Sequence, residues 1–170
     1  MSRVKENNFA YIDGQNLNLG VKSMGWNLDF KKFRVYLKEK YKVSNAYYFV
    51  GLVQGNEKMY KMLQEFGYIL LFKPTVFGDD NKPKGNIDAD LVLHSAVDCC
   101  KNKFDKAVIV TSDGDFYSLV DYLYENNKLL VVISPNREKC SSLLRKSGKE
   151  KMRYLDKSKE KLRHKIKSTA

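Results

Sequence analysis

The sequence predicts an α/β protein, a three-layer α/β/α sandwich with a mainly parallel central sheet and a basic helical extension at its C-terminal end. Short apolar runs alternate along the chain with helical patterns, which is typical of β-α units. Because right-handed crossovers join consecutive parallel strands, helices are expected on both faces of the sheet. With 170 residues, 43% of them hydrophobic, the chain is long enough for one domain with its own core.

The first half of the chain predicts three strands and two helices. In chain order these are a strand at 9–12, a helix at 29–41, a strand at 43–50, a helix at 56–66 and a strand at 68–72. The first helix places Phe33 and Leu37 on one side with lysines opposite, and Asp29 suits its N-cap. Gly67 is the residue type that commonly follows the end of a helix, so it marks the end of the second.

The second half predicts three helices and three strands. In chain order these are a helix at 87–101, a strand at 107–111, a helix at 115–126, a strand at 129–133, a helix at 138–146 and a strand at 152–155. Residues 73–85 are rich in Pro, Gly and Asp and lack periodicity, which predicts a loop. Asn86 can cap the helix that follows, and Pro135 breaks the chain. We therefore expect a domain at residues 1–156 and a basic tail at 157–170, helical as far as residue 167.

The positive charge of the chain is concentrated at its C-terminal end. The net charge is +11, and residues 137–170 contain 13 Lys and Arg against 4 Asp and Glu, whereas the first 136 residues contain 18 against 16. A basic segment of this kind suits a polyanion such as RNA. A terminal helix that is simply charged and solvated gives the same pattern, so both interpretations stand.

The chain lacks the usual sequence signals for a membrane or for an oxidising compartment. Residues 1–8 are polar, and no run of about 18 apolar residues occurs. Cys99, Cys100 and Cys140 form neither an even disulfide framework nor a C-x-x-C metal knuckle. We expect reduced cysteines that pack in the core or in an interface, in a cytoplasmic protein with no membrane partner. A homodimer is compatible with the sequence.

Two of the predicted strands end in acidic residues. Asp13 follows the first apolar run directly, and Asp113 and Asp115 flank Gly114 shortly after the run AVIV. Two carboxylates at a strand tip repel each other unless a cation lies between them. Asp13 and one member of the later pair could instead cap the helices that follow. The remaining acid needs another partner, and a divalent cation is the simplest one.

A third acidic contribution comes from the helix predicted at 87–101. Four of its polar residues recur every three or four positions, which predicts one stripe that faces solvent: Asp90, His94, Asp98 and Lys101. Asp88 lies about 200° around the helix axis from Asp90 and therefore faces the protein. Free backbone amides of the first helical turn could satisfy its carboxylate. Otherwise Asp88 faces the same site as the strand-end acids.

Carboxylate ligands favour Mg²⁺ or Mn²⁺, since these hard ions bind through oxygen. With His94 placed on the stripe and His164 in the tail, a zinc site is not expected. Mg²⁺ and Mn²⁺ support hydrolysis of phosphate esters, where they activate water and neutralise charge on the leaving oxygen. The chain has neither a P-loop motif nor a dinucleotide fingerprint, and its acids lack the spacing of an EF-hand loop. A haloacid-dehalogenase phosphatase or a receiver domain would need its acids at other positions.

Three segments together, YIDGQNL, KGNIDADL and VIVTSDGDF, resemble the NYN domain family, also called LabA-like or PIN-like, over residues 9–155. The resemblance implies a PIN-like fold and a catalytic metal centre for Mg²⁺ or Mn²⁺ formed by Asp13, Asp88, Asp113 and Asp115. It also implies supporting roles for three further residues that match the motifs. Asn16 would contact a ligand or the substrate, Ser112 a neighbouring residue or phosphate, and Lys84 phosphate.

The combined hypothesis is a metal-dependent endoribonuclease whose basic tail holds single-stranded or structured RNA. The alternative is a catalytically inactive RNA-binding or adaptor module of the same fold, and a small-molecule phosphatase is a third, more distant option. Four aromatic residues near the predicted site could stack on bases or belong to the core: Tyr11, Phe77, Phe116 and Tyr117. Removal of everything after Lys157 is expected to weaken RNA binding and to leave the fold intact.

Overall fold

The computed structural model describes residues 6–73, 76–77, 83–84 and 87–165, and these form the α/β/α sandwich that the sequence predicts. The described strands, in chain order, are β1 (Asn8–Asp13), β2 (Val43–Gly51), β3 (Tyr68–Lys73), β4 (Val76–Phe77), β5 (Pro83–Lys84), β6 (Ala107–Val110), β7 (Leu129–Ser134) and β8 (Met152–Tyr154). Six of them form one sheet in the order β3-β2-β1-β6-β7-β8, and all its neighbouring pairs are parallel. β4 and β5 pair antiparallel with each other, within the stretch predicted to be a loop.

Helices connect the strands of the large sheet. The described α-helices, in chain order, are α1 (Gly14–Lys22), α2 (Phe30–Tyr41), α3 (Glu57–Glu65), α4 (Ile87–Cys100), α5 (Tyr117–Glu125), α6 (Ser142–Gly148) and α7 (Lys159–Leu162). Short 3₁₀ turns occupy Gly114–Phe116, Lys149–Lys151 and Leu155–Ser158. None of the helices in the described residues is long and apolar enough to cross a membrane.

Helix α1 was not assigned from the periodicity of the sequence. Its sequence, GQNLNLGVK, contains two glycines and two asparagines, which are weak helix formers. The helix forms because Asp13 caps it: the Asp13 side chain accepts a hydrogen bond from the backbone N–H of Asn16. Leu17 and Val21 then bury its apolar side. The capping role considered for Asp13 is therefore confirmed.

Each face of the sheet has its own apolar core, because successive side chains of a strand point to opposite faces. On one face, α1, α2 and α7 bury Leu17, Phe33 and Leu162 against β1 and its neighbours. On the other face, α4 and α5 bury Leu91 and Leu123. Helices therefore cover both faces, as right-handed crossovers require.

The order of the strands reverses between β1 and β6. From β1 the chain adds β2 and β3 on one side, and then returns to place β6, β7 and β8 on the other. In open parallel sheets, ligands bind beyond the carboxyl ends of the strands at such a switch point. β1 ends at Asp13, and β6 ends at Val110, shortly before Asp113. The topology thus brings two of the predicted acidic segments to one edge of the sheet.

The C-terminal segment packs on the domain as far as it is described. Leu162 is only 2% exposed, and its carbonyl accepts a hydrogen bond of 2.8 Å from the backbone N–H of Asp29. Removal of everything after Lys157 would take away this core side chain and its hydrogen bond, so we expect that cut to lower the stability of the domain. Residues 166–170 lie outside the described residues.

Candidate metal centre

A cleft of about 710 Å³ opens beyond the carboxyl ends of β1 and β6. All four predicted acidic residues line it: Asp13, Asp88, Asp113 and Asp115. They come from three separate parts of the chain, the end of β1, the first turn of α4 and the turn after β6. The fold therefore gathers the acids of all three sequence segments around one space.

Three of the four carboxylates form a close group. Asp88, Asp113 and Asp115 each offer one carboxylate oxygen, and these three oxygens lie within 4.8 Å of one another. Asp88 and Asp113 are half-buried and Asp115 is exposed. Burial raises the pKa of Asp88 above its ordinary range, and the charges of Asp113 and Asp115 raise it further. Such a group is costly when every member is ionised and no cation is present.

The turn after β6 is held in shape by its own hydrogen bonds. The Asp113 side chain accepts from the backbone N–H of Asp115 at 3.0 Å, so Asp113 caps the 3₁₀ turn. The backbone N–H of Asp113 donates to Thr111 Oγ1 at 3.1 Å. A Cβ added at Gly114 would lie 2.4 Å from Ser141 Oγ, so only glycine allows the turn to approach the start of α6 this closely. Sterics and capping together hold the turn that carries both carboxylates beside the cleft.

Asp13 lies beside this group and is not part of it. It is 5% exposed and accepts hydrogen bonds from the backbone N–H of Asn16 at 3.1 Å and from Thr111 Oγ1 at 3.2 Å. Burial raises the pKa of Asp13 from its ordinary value of 3.8 to about 6. The charges of Asp88 and Asp113 contribute to this rise, which places Asp13 within their electrostatic reach.

The predicted supporting residues Asn16 and Ser112 connect the two strand ends. Asn16 Oδ1 accepts a hydrogen bond of 2.8 Å from the backbone N–H of Ser112, and the Ser112 hydroxyl lies 3.0 Å from that of Ser134. Both Asn16 and Ser112 line the cleft. The backbone of Lys84 pairs with Val76, but its side chain lies outside the described residues.

Further cleft residues were not found from the sequence. α1 contributes Gln15 and the exposed Leu19, and the segment around the start of α6 contributes Lys139, Ser141 and Leu143. Lys139 is the one basic residue among the described residues that line the cleft. Serine is a common N-cap residue, so Ser141 indicates where α6 begins. Nothing in the local sequence indicates that α6 begins beside the acidic residues.

The stripe predicted at Asp90, His94, Asp98 and Lys101 faces solvent in part: Asp90 and Lys101 are exposed, His94 is half-buried and Asp98 is buried. Asp98 is 2% exposed, and its carboxylate is bound by the Tyr11 hydroxyl at 3.0 Å, His94 Nε2 at 3.2 Å and Lys103 Nζ at 2.9 Å. That prediction is wrong for Asp98, because Tyr11 of β1 and Lys103 beyond the end of α4 join His94 in compensating the buried carboxylate. Asp90 is exposed as expected and pairs with Lys73.

The aromatic residues near the site have different surroundings. Tyr11 and Phe116 are fully buried in the core and cannot stack on a base, whereas Tyr117 is 40% exposed. The side chain of Phe77 lies outside the described residues.

The residues present fit a hard divalent cation. Three carboxylate oxygens in one group, with a fourth carboxylate alongside, are the oxygen donors that Mg²⁺ and Mn²⁺ prefer. The described lining contains neither histidine nor cysteine, the ligands typical of structural zinc. The group lies open to the cleft, which leaves room for a substrate next to a bound ion.

Comparisons with known proteins agree with this architecture. The family model of the NYN domain matches residues 10–155. The fold is similar to the crystal structure of a protein of unknown function from Vibrio parahaemolyticus, with a TM-score of 0.78 and 19% sequence identity over 96% of this chain and 99% of that chain. A search of curated proteins gave no match.

Proposed function

This chain belongs to the NYN domain family, a PIN-like nuclease family, and from that membership we propose that it is a metal-dependent endoribonuclease that hydrolyses RNA phosphodiester bonds. The observation that carries the proposal is the group formed by Asp88, Asp113 and Asp115, whose carboxylate oxygens lie within 4.8 Å of one another in an open cleft. Ribonucleases are common in the family, and an acidic centre of this kind is what their chemistry requires.

In the proposed site, Asp88, Asp113 and Asp115 hold Mg²⁺ or Mn²⁺. When bound, such an ion would supply Lewis acidity toward a phosphate oxygen and make water a better nucleophile near neutral pH. The three side chains provide negative charge from separate directions, because they come from α4 and from the turn after β6. The ion is attracted by all three carboxylates, and its binding also relieves their mutual repulsion in the cation-free protein.

Asp13 belongs to the proposed centre as its buried fourth carboxylate. Its hydrogen bonds with Asn16 and Thr111 hold the carboxylate in place, and its charge adds to the field of the other three. Asn16 positions the turn after β6 through the backbone N–H of Ser112, so we assign both residues the role of orienting the acids. Lys84 remains a proposed phosphate contact, as its motif position implies.

The proposed substrate is RNA, held in part by the basic C-terminal segment. Lys157, Lys161 and Lys165 are exposed in the described part of this segment, so they are available to phosphates. We extend the proposal to a cytoplasmic location. The three free cysteines support it, because disulfides form and persist in oxidising compartments.

A cleavage assay on a circular RNA in the presence of Mn²⁺ tests this proposal, since an endonuclease opens a circle and an exonuclease does not. Asp113→Asn should lower the rate by about 100-fold or more, because it removes a ligand of the ion. Asp121→Asn changes the same charge on α5, away from the cleft, and should behave like the wild type. RNA binding without cleavage would favour the adaptor module, and hydrolysis of a phosphomonoester but not RNA would favour the phosphatase.

A further inference from the structure

A second cavity, of about 400 Å³, lies between α4 and the edge strand β3. Its apolar walls include Leu71 of β3 and the exposed α4 residues Leu93 and Val97, and its polar lining includes His94 and Lys103. Sites for small ligands have this composition: mostly apolar walls with a few placed polar groups, in a volume of about 300–1,000 Å³. Leu93 is 65% exposed and Val97 is 37% exposed, so the described residues leave this wall open.

The second cavity adjoins the acidic cleft across the first turn of α4. Ile87 lines both spaces, Asp88 lines the cleft, and Asp90 lines the second cavity. Because Asp88 and Asp90 lie about 200° apart around the helix axis, this turn forms a ridge with one space on each side. A helix with its side chains is about 10–12 Å wide, so a short flexible ligand can reach both spaces.

The polar side of the second cavity is held rigidly. His94 Nε2 lies 3.2 Å from the carboxylate of Asp98, which is buried and also binds Tyr11 and Lys103. The His94 ring packs against Tyr47, with 4.8 Å between ring centroids. The His94 side chain nevertheless keeps 34% of its surface exposed. The cavity therefore contains the imidazole ring of His94, held in one orientation beside the apolar walls.

We propose that the second cavity is a nucleobase site, which binds the base of a nucleotide close to the phosphate that lies at the acidic group. The inference rests on the proposed ribonuclease function and adds to it the place where one base of the substrate is bound. A base offers a flat apolar face for Leu71, Leu93 and Val97, and a hydrogen-bonding edge for His94. Lys73, paired with Asp90 at 3.7 Å, lines this cavity, and its charge lowers the pKa of Asp88, so one cation lies within electrostatic reach of both spaces.

Nucleotide binding suits this cavity better than docking of a second protein. The cavity adjoins the acidic cleft at Ile87. A ligand that carries both a phosphate and a base can therefore occupy both spaces at once. The lining also places two lysines and two aspartates around the apolar walls, whereas the cores of protein interfaces are depleted of charged residues.

A binding experiment without cleavage tests the proposal. Fluorescence anisotropy of labelled pentaribonucleotides, one per base, is measured with the full chain in EDTA, so that metal-dependent hydrolysis is not needed. Leu93→Glu and Leu93→Lys should each weaken binding of the preferred oligomer about tenfold, because both place a charge in the apolar wall. Val35→Glu and Val35→Lys, at a site on α2 that is 44% exposed, are the matched controls and should change binding less than twofold.

The two Leu93 charges separate a base pocket from long-range electrostatics. Weaker binding with Glu and stronger binding with Lys would overturn the proposal, because charge alone would then explain the effect. Unchanged binding with both would overturn it too. If the wild type then self-associated in a sedimentation experiment and the Leu93 variants did not, the surface would be a contact between copies of the chain.

An NMR titration gives a second readout that depends neither on cleavage nor on variants. The chain has two histidines, so the imidazole signals of His94 and His164 are easily assigned. Nucleoside 5′-monophosphates should shift the His94 signals, whereas ribose 5-phosphate should not, and His164 should be unaffected by either. Equal shifts with ribose 5-phosphate would show phosphate binding alone and overturn the base site. If the site binds nucleotides while circular RNA stays uncut, the proposed ribonuclease function fails and the base site does not.

Discussion

Thr111 Oγ1 donates a hydrogen bond of 3.2 Å to Asp13 Oδ2, and this contact joins the ends of β1 and β6 at the acidic cleft. The same hydroxyl oxygen accepts from the backbone N–H of Asp113 at 3.1 Å. One threonine therefore links the buried acid of the first strand to the turn that carries two of the three grouped carboxylates.

Asp13→Asn should stabilise the cation-free protein at neutral pH. The pKa of Asp13 is about 6 in the folded chain, above its ordinary value of 3.8, so the folded state holds this proton more tightly than the unfolded state. The stability that protonated Asp13 contributes is therefore fully present below about pH 4 and is lost as the pH rises through about 6. At pH 7 the cost is on the order of 2–3 kcal/mol.

Urea unfolding in EDTA at pH 4 and pH 7 measures this effect. The wild type should lose stability between the two values through Asp13, and Asp13→Asn should lose less. Asp121→Asn controls for general charge effects. An equal pH dependence in Asp13→Asn and wild type would show that burial of Asp13 carries no such cost.

Asn16→Ala should displace the turn that follows β6 and carries Asp113 and Asp115. The change removes the acceptor for the backbone N–H of Ser112, a hydrogen bond of 2.8 Å, and leaves a half-buried donor without its partner. A cost of about 1–3 kcal/mol in unfolding free energy is expected, together with weaker Mn²⁺ binding. Asn16→Asp keeps an acceptor oxygen and should recover the structural part of the loss in saturating Mn²⁺. If Asn16→Ala retains full Mn²⁺ affinity, Asn16 does not position the acids.

Gly114→Ala should push the turn between Asp113 and Asp115 away from α6. The new Cβ would lie 2.4 Å from Ser141 Oγ, which is fixed because it accepts from the backbone N–H of Leu143 and caps α6. Overpacking of this kind costs about 1–3 kcal/mol. Mn²⁺ affinity should fall as well, since both carboxylates belong to the turn.

Ser141→Gly is the matched test of that clash. Glycine at an N-cap costs only a few tenths of a kcal/mol, and it removes the atom that the alanine would meet. The double variant Gly114→Ala with Ser141→Gly should therefore regain most of the lost Mn²⁺ affinity, measured by calorimetry. A double variant as impaired as Gly114→Ala alone would rule out this steric explanation.

The C-terminal segment should have separate structural and electrostatic roles. Leu162→Ala removes a core side chain and should cost about 2–5 kcal/mol in a urea denaturation experiment. Replacing the exposed Lys157, Lys161 and Lys165 by Gln should leave stability unchanged. It should also lower the slope of log affinity for single-stranded RNA against log salt by up to about 2.

Three exposed lysines elsewhere provide the control for that slope: Lys22, Lys31 and Lys38. Their replacement by Gln makes the same change in net charge on α1 and α2. A slope that falls equally with both sets would mean that net charge, and not the C-terminal segment, governs RNA binding.

The sequence predicted the sheet and the carboxyl-edge acids because their signals are local. An apolar run that stops at Asp13 or shortly before Asp113 marks a strand end, and parallel strands bring such ends to one edge. Helical geometry alone predicted that Asp88 and Asp90 face different directions. In the structure the two residues lie on opposite sides of the first turn of α4.

The sequence could not predict how neighbouring elements approach each other. Asp98 is buried because Tyr11 and Lys103 reach it, and no spacing within α4 contains that information. Asp13 lies beside the close group and not in it, because β1 sets the position of Asp13 and the packing of α4 sets that of Asp88. Lys139 reaches the cleft because of where α6 packs.

Direct measurement of Mn²⁺ binding tests most sharply whether Asp88, Asp113 and Asp115 share a divalent ion. Electron paramagnetic resonance of free Mn²⁺, titrated with the wild type, Asp113→Asn and Asp121→Asn, gives affinity and stoichiometry without any substrate. We predict that the wild type and Asp121→Asn bind Mn²⁺ equally, and that Asp113→Asn loses about 100-fold in affinity or more. Equal binding by Asp113→Asn and wild type, or no binding by any of the three at millimolar Mn²⁺, would contradict the acidic metal centre.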